Sequence, residues 1–135
     1  MKVVIDTNVL LVSISPRSDD NWLWQAILLG EIDLYVTTDI LAEYAEIIEQ
    51  QMGKAVADAA LDLLSDLENV HNVTKYYSWQ LVEIDPDDNK FVDCSIAAGA
   101  EYLVSEDKHL RVINQYPYFN ITLLKLAELK LLLGK

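Results

Sequence analysis

Apolar positions follow two rhythms along this chain. Short β-branched runs alternate with longer stretches in which apolar residues recur every three or four positions. Lys2–Ile5 is the first short run and reads as a buried strand. Asn21 to Gly30 (NWLWQAILLG) has helical spacing and ends on glycine, a common helix stop. Leu34–Val36 predicts a second strand. A helix follows, with Thr38 or Asp39 as N-cap, Gly53 as stop, and Ile40, Tyr44, Ile47 and Ile48 as its apolar stripe. Lys54 to about Leu67 predicts another helix. The stretch from Asn69 to Val82 has no clear period, and a short strand is expected near Leu81–Ile84. DPDDNKFVDCSIAAGA is a proline turn leading into a helix, EYLVS a strand, and EDKHLRVINQY a loop with a short helix. ITLLK is a last strand, and Leu126–Leu133 a last helix.

Strands that alternate with helices predict a parallel sheet covered by helices. No repeat, low-complexity segment or linker interrupts the pattern. The expectation is a single α/β domain over residues 1–135, with a helical hairpin at about 39–67.

Composition narrows the chemistry. Hydrophobic residues make up 52% of 135, enough for a sizeable core. Cys94 is the only cysteine, so no intrachain disulfide forms, which fits a reducing compartment. One Cys and two His cannot build a zinc cluster. The apolar run after Met1 and Lys2 is short and broken by Asp6, which argues against a signal peptide. No stretch reaches the roughly 18–20 apolar residues of a membrane span. The expected location is the cytoplasm. A net charge of −12 repels nucleic acid at long range and suits divalent cations or basic partners.

In open α/β sheets, sites form at the carboxyl ends of strands. Asp6 and Asn8 follow the first strand, and Ser105 and Asp107 follow EYLV. The alternative for either Asp is a cap on the next helix, and a cap can serve chemistry as well. Glu43 borders an apolar helix face, an ordinary boundary position unless other acids converge on it. Asp93 lies on a helix that is apolar almost all round (Phe91, Val92, Cys94, Ile96, Ala97, Ala98). A buried carboxylate needs a positive partner. With only ten Lys and Arg in the chain, a metal ion is the expected partner and a lysine the alternative. Asp88 is about 140° from Asp93 round a helix, so it is expected near the helix start as a cap. The spacing of Asp85, Asp87 and Asp88 does not fit an EF-hand. Clustered carboxylates favour Mg2+ or Mn2+, and the chemistry that needs such a site is phosphodiester hydrolysis.

VVIDTNVLL, the Glu43 helix, DPDDNKFVDCSIAAGAEYLVSEDKHL and the closing ITLL, in this order, resemble the PIN-domain ribonucleases. They resemble most the toxins of VapBC-type toxin–antitoxin pairs. The resemblance implies a Rossmann-like three-layer α/β/α sandwich and a Mg2+- or Mn2+-dependent endoribonuclease. It implies Asp6, Glu43, Asp93 and Asp107 as catalytic metal ligands, with Asn8 and Ser105 orienting them and Asp88 accessory. Relatives often carry a further acid where this chain has His109. The resemblance further implies an RNA substrate, a homodimer and an antitoxin that blocks the site. Lys90, Lys108 and Arg111 lie in the motif segments and are the candidate substrate-binding cations.

Two alternatives compete. A haloacid-dehalogenase-type phosphatase also starts with a strand ending in a nucleophilic Asp, but it needs an acid two residues on, where this chain has Asn8. A PIN fold that only binds would have no use for the full set of matched acids. There is no P-loop, no G-x-G-x-x-G turn, and little support for a Ser-His-Asp triad.

Overall fold

A computed structural model describes all residues, Met1–Lys135. Five strands, β1 (Lys2–Ile5), β2 (Asp33–Val36), β3 (Val70–Asn72), β4 (Tyr102–Val104) and β5 (Thr122–Leu124), form one parallel sheet in the order β3-β2-β1-β4-β5. Val3, Val4 and Ile5 are all fully buried. Successive strand residues point to opposite faces, so helices must cover both sides, giving the α/β/α sandwich.

Six helices connect and cover the sheet. α1 (Thr7–Ile14) and α2 (Asn21–Leu28) link β1 to β2, and α3 (Thr38–Met52) and α4 (Lys54–Asp66) link β2 to β3. α5 (Asn89–Ala98) precedes β4 and packs on β1, β2 and β4. α6 (Leu126–Leu132) closes the chain. A cluster of 29 buried apolar side chains joins strands and helices. α3 and α4 pack as a hairpin about Gly53, whose φ of +92° suits a residue without a side chain.

The connections fix where a site can form. From β1 the chain moves outward through β2 to β3, then returns through α5 to β4 on the other side of β1. The crevice beyond the carboxyl ends of β1 and β4 is therefore the switch point of the sheet.

Three local expectations differ from the structure. The third strand is Val70–Asn72, not Leu81–Ile84. Leu34 registers with Val70, and His71 stacks on Tyr35 at 4.7 Å. At Val82 the backbone N–H and C=O are both taken by the Asn89 side-chain amide, at 2.9 and 3.0 Å. A side chain thus replaces a neighbouring strand. The N-cap of α3 is Thr37, whose Oγ1 accepts from the Ile40 N–H at 3.3 Å, rather than Thr38 or Asp39. The short helix after β4 is 3-10 in type, over Lys108–Gln115.

Candidate metal centre

Asp6 combines two roles at the end of β1. Its N–H donates to Val104 O at 3.0 Å, tying the strand end to β4. Its Oδ1 caps α1, accepting from the N–H groups of Asn8 (2.9 Å) and Val9 (3.2 Å). Its Oδ2 accepts from the Ser105 hydroxyl at the end of β4. The carboxylate is 6% exposed, and burial raises its pKa against these three donors.

Ser105 and Asp107 form a second hinge of the crevice. The Asp107 N–H donates to Ser105 Oγ at 2.9 Å, and Asp107 Oδ1 accepts from the His109 N–H at 2.9 Å. That N–H holds the Asp107 pKa below its ordinary value.

Asp88 comes from the 3-10 turn Pro86–Asp88 at the start of α5. Burial first, and then the Asp107 carboxylate, push it up to about 7. Its Oδ2 is buried with no hydrogen-bond partner. Asp85, Asp88, Asp107 and His109 each bring a ligand atom within 4.8 Å of the others. Asp6, Asn8, Glu43, Asp85, Asp88 and Asp107 line one depression of about 200 Å3.

Glu43 reaches this depression from α3. The Thr7 hydroxyl donates to its Oε2, and Lys90 Nζ lies 2.9 Å from its Oε1. The next residue, Tyr44, is fully buried and donates its hydroxyl to Ile5 O, which anchors α3 on β1 beside the site.

Of the acids expected at the centre, Asp93 is the one the structure places elsewhere. Its side chain is 2% exposed, but it faces Lys75 (3.7 Å) and the Trp79 N–H (3.1 Å). Lys75 also reaches Asp39 at 3.6 Å. The positive partner is the lysine, and the acid that α5 presents to the depression is Asp88 at its start. Burial raises the Asp93 pKa, and the Trp79 N–H and Lys75 oppose it.

The candidate substrate cations also divide. Lys90 pairs with Glu43 and with Asp87 (3.3 Å) and is 17% exposed, so it positions an acid rather than offering a free charge. Lys108 and Arg111 enter no ion pair and line a neighbouring cavity. The residue patterns missed Thr7 as the partner of Glu43. They also missed Lys75 and Trp79, because the segment that carries them has no periodicity.

The donor set fits a hard divalent cation. It is rich in carboxylate oxygen, it brings like charges together, and it leaves a buried carboxylate oxygen without a partner. A cation would offset both the burial and the repulsion that raise Asp88.

A family model described as PIN domain matches residues 2–109. No curated protein sequence matches the chain. Among solved structures, the chain is similar to VapBC2 from Rickettsia felis bound to a DNA fragment from its promoter, at 20% identity and a TM-score of 0.62, covering 93% of this chain and 98% of that one. It is similar to VapC20 from Mycobacterium tuberculosis, a sarcin–ricin loop cleaving toxin, at 14% identity and 0.56, covering 75% and 86%. It is also similar to FitAcB from Neisseria gonorrhoeae, at 12% identity and 0.57, covering 93% and 98%. These likenesses are likenesses of fold, while the match over residues 2–109, which carries the strand-end acids of both β1 and β4, shows that the chain belongs to the PIN domain family.

Proposed function

We propose that this protein is a Mg2+- or Mn2+-dependent endoribonuclease, acting as the toxin of a toxin–antitoxin pair. The observation that carries the reading is the convergence of Asp6, Asp85, Asp88, Asp107 and Glu43 at the switch point of the sheet, with one buried carboxylate oxygen left unpartnered. Asp88, Asp107, Asp85 and His109 would hold the cation, with Asp6 beside them. A bound cation would polarise a phosphate and lower the pKa of an attacking water. Ser105 fixes the orientation of Asp6, and Asp6 in turn fixes the first turn of α1. Thr7 and Lys90 hold Glu43 at the rim. Asn8, one residue further into α1, lines the same depression and offers an amide to orient a water or a phosphate oxygen.

Support for RNA as substrate comes from family membership and from the likeness to a toxin that cleaves the sarcin–ricin loop. The likeness to VapBC2 supports an antitoxin partner. A block of the site by that partner and a homodimer in the cytoplasm follow only from the toxin reading itself. No helix is long and apolar enough to cross a membrane. The phosphatase alternative finds no support. Both oxygens of Asp6 are engaged, Oδ1 by two backbone N–H groups and Oδ2 by Ser105, and Asn8 stands where the general acid is needed.

The test is direct. End-labelled RNA is incubated with the purified protein and Mn2+, Mg2+ or EDTA. The expected result is cleavage with either metal, none in EDTA, and none by Asp6→Asn with an unchanged circular dichroism spectrum. Cleavage that persists in EDTA would sink the metal-dependent mechanism.

A further inference from the structure

A cavity of about 680 Å3 opens beside the acidic cluster, within the range of about 300–1,000 Å3 usual for ligand sites. One wall is residues 81–84, which run directly into Asp85. The other is residues 108–116, which follow Asp107. His109 belongs both to the cavity wall and to the cluster.

The lining is chemically mixed. Leu81, Ile84 and Val112 are apolar, and Tyr116 adds a ring. Lys108 and Arg111 add two cations that enter no ion pair, in a chain whose net charge is −12. Aromatic rings continue outward from Tyr116. Its ring lies 6.4 Å from Phe119, which contacts Tyr118 at 5.7 Å and Trp79 at 5.1 Å, and Trp79 neighbours Tyr77. Tyr118 is 88% exposed and Tyr77 73%.

Exposed rings beside unpaired cations match one ligand chemistry. Unstacked bases bind on aromatic faces while the phosphates between them meet Lys and Arg. A duplex hides its base faces and cannot use such a surface. An apolar peptide would fill the cavity but leave Lys108 and Arg111 without counter-charge. We propose that the cavity between residues 81–84 and 108–116 is a nucleobase subsite, taking an unpaired base of a single-stranded RNA segment onto Tyr116 while Lys108 and Arg111 hold the flanking phosphates. The proposal rests on the nuclease reading for what lies at the neighbouring cluster. Glu83 and Gln115 stand at the cavity wall, where an acceptor and an amide read the edge of the base.

Binding tests this apart from cleavage. The Asp6→Asn protein is titrated, by fluorescence anisotropy in Mg2+, with a labelled single-stranded oligoribonucleotide and with a duplex of the same composition. The single strand is expected to bind and the duplex to bind at least about tenfold more weakly. Tyr116→Ala, added to Asp6→Asn, is expected to weaken binding about tenfold, and Tyr116→Phe to restore it, since stacking needs the ring and not the hydroxyl. Arg111→Ala is expected to lower the slope of log K against log salt by about 0.7, one phosphate on a single strand. In the cleavage-competent protein with Asp6 intact, Glu83→Gln alone is expected to shift which bases a random RNA pool contributes to the cleaved positions.

Unchanged single-strand binding in both Tyr116→Ala and Arg111→Ala overturns the subsite, while RNA cleavage by the same protein leaves the nuclease reading standing. Capture of a peptide in the cavity by a protein that binds no RNA overturns it too. Cavity-dependent RNA binding with no metal-dependent cleavage supports the subsite and sinks the nuclease reading.

Discussion

Two aspartates near α5 hold carboxylate oxygens away from solvent, Asp88 half-buried and Asp93 fully buried, and the fold treats them oppositely. Asp88, at the start of the helix, meets Asp107 and Asp85, and its buried Oδ2 has no partner. Asp93, inside the helix, is even less exposed, but Lys75 and the Trp79 N–H stand against it. Burial raises the pKa of both. The contrast shows that a buried carboxylate is not by itself a metal ligand. What separates the two is whether the chain brings its own cation. At Asp93 it does, from the segment between β3 and the turn before α5. At the switch point the lysine that arrives, Lys90, is taken up by Glu43 and Asp87 and leaves Asp88 unneutralised.

The largest expected effect is on activity. Asp6→Asn is expected to abolish RNA cleavage, and Asp93→Asn to leave it close to wild type, both measured on end-labelled RNA. Loss of cleavage in Asp93→Asn with an intact fold would erase the contrast between the two regions.

Metal-induced stabilisation comes next. A ligand at about 100 times its Kd stabilises by about 2.7 kcal/mol, a clear rise in melting temperature. Mn2+ is expected to give that rise in wild type and in Asp93→Asn, and to give little in Asp88→Asn or Asp107→Asn. The sequence by itself assigns this response to Asp93. Thermal melting of the three variants decides between the two assignments.

Removing the built-in cation should be felt as stability. Lys75→Met strands Asp93 in the interior and is expected to cost about 1–3 kcal/mol, measured by urea unfolding. The Trp79 N–H still partners one oxygen, which keeps the loss moderate. Lys75→Met with Asp93→Asn is expected to recover part of it. A simple sum of the two single effects would show that the pair carries no coupling.

The last effect concerns pH in the metal-free protein. Asp88 titrates at about 7 in the folded state, against an ordinary value of 3.8. The folded chain therefore holds a proton that the unfolded chain has already released. The contribution to stability is complete below about 4 and is lost as pH rises through about 7. Asp6 shifts in the same direction. In EDTA, the melting temperature is expected to fall between about pH 5 and about pH 8, and less in Asp88→Asn. Bound Mn2+ should flatten the fall by stabilising the ionised form. A metal-free profile in Asp88→Asn that matches wild type would place the titration in another group.

The legibility of the sequence followed local physics. β1, β2, β4 and β5 are short apolar runs, and their strand assignments needed nothing beyond the run itself. The helices α2 to α6 carried stripes or stops, so their ends fell within a few residues, whereas α1 (Thr7–Ile14) was not assigned beyond a cap at Asp6, because its eight residues are mostly apolar with no clear stripe. The two strand-end acids were legible because the carboxyl ends of a parallel sheet are where sites form, and Asp6 proved to be both cap and site residue. β3 was not legible. Val70–Asn72 is too short to show a period, and the apolar look of Leu81–Ile84 hid that Asn89 satisfies the Val82 backbone.

Sequence by itself determined the alternation of strand and helix and which acids terminate β1 and β4. These depend on neighbours within a turn or a strand. Only the tertiary structure decided which buried carboxylate has a cation and which lacks one. Lys75 meets Asp93, and Asp88 meets Asp107, across segments that share no periodicity and no spacing. Charge pairing acts over a few ångströms in space, and the chain order does not record that distance.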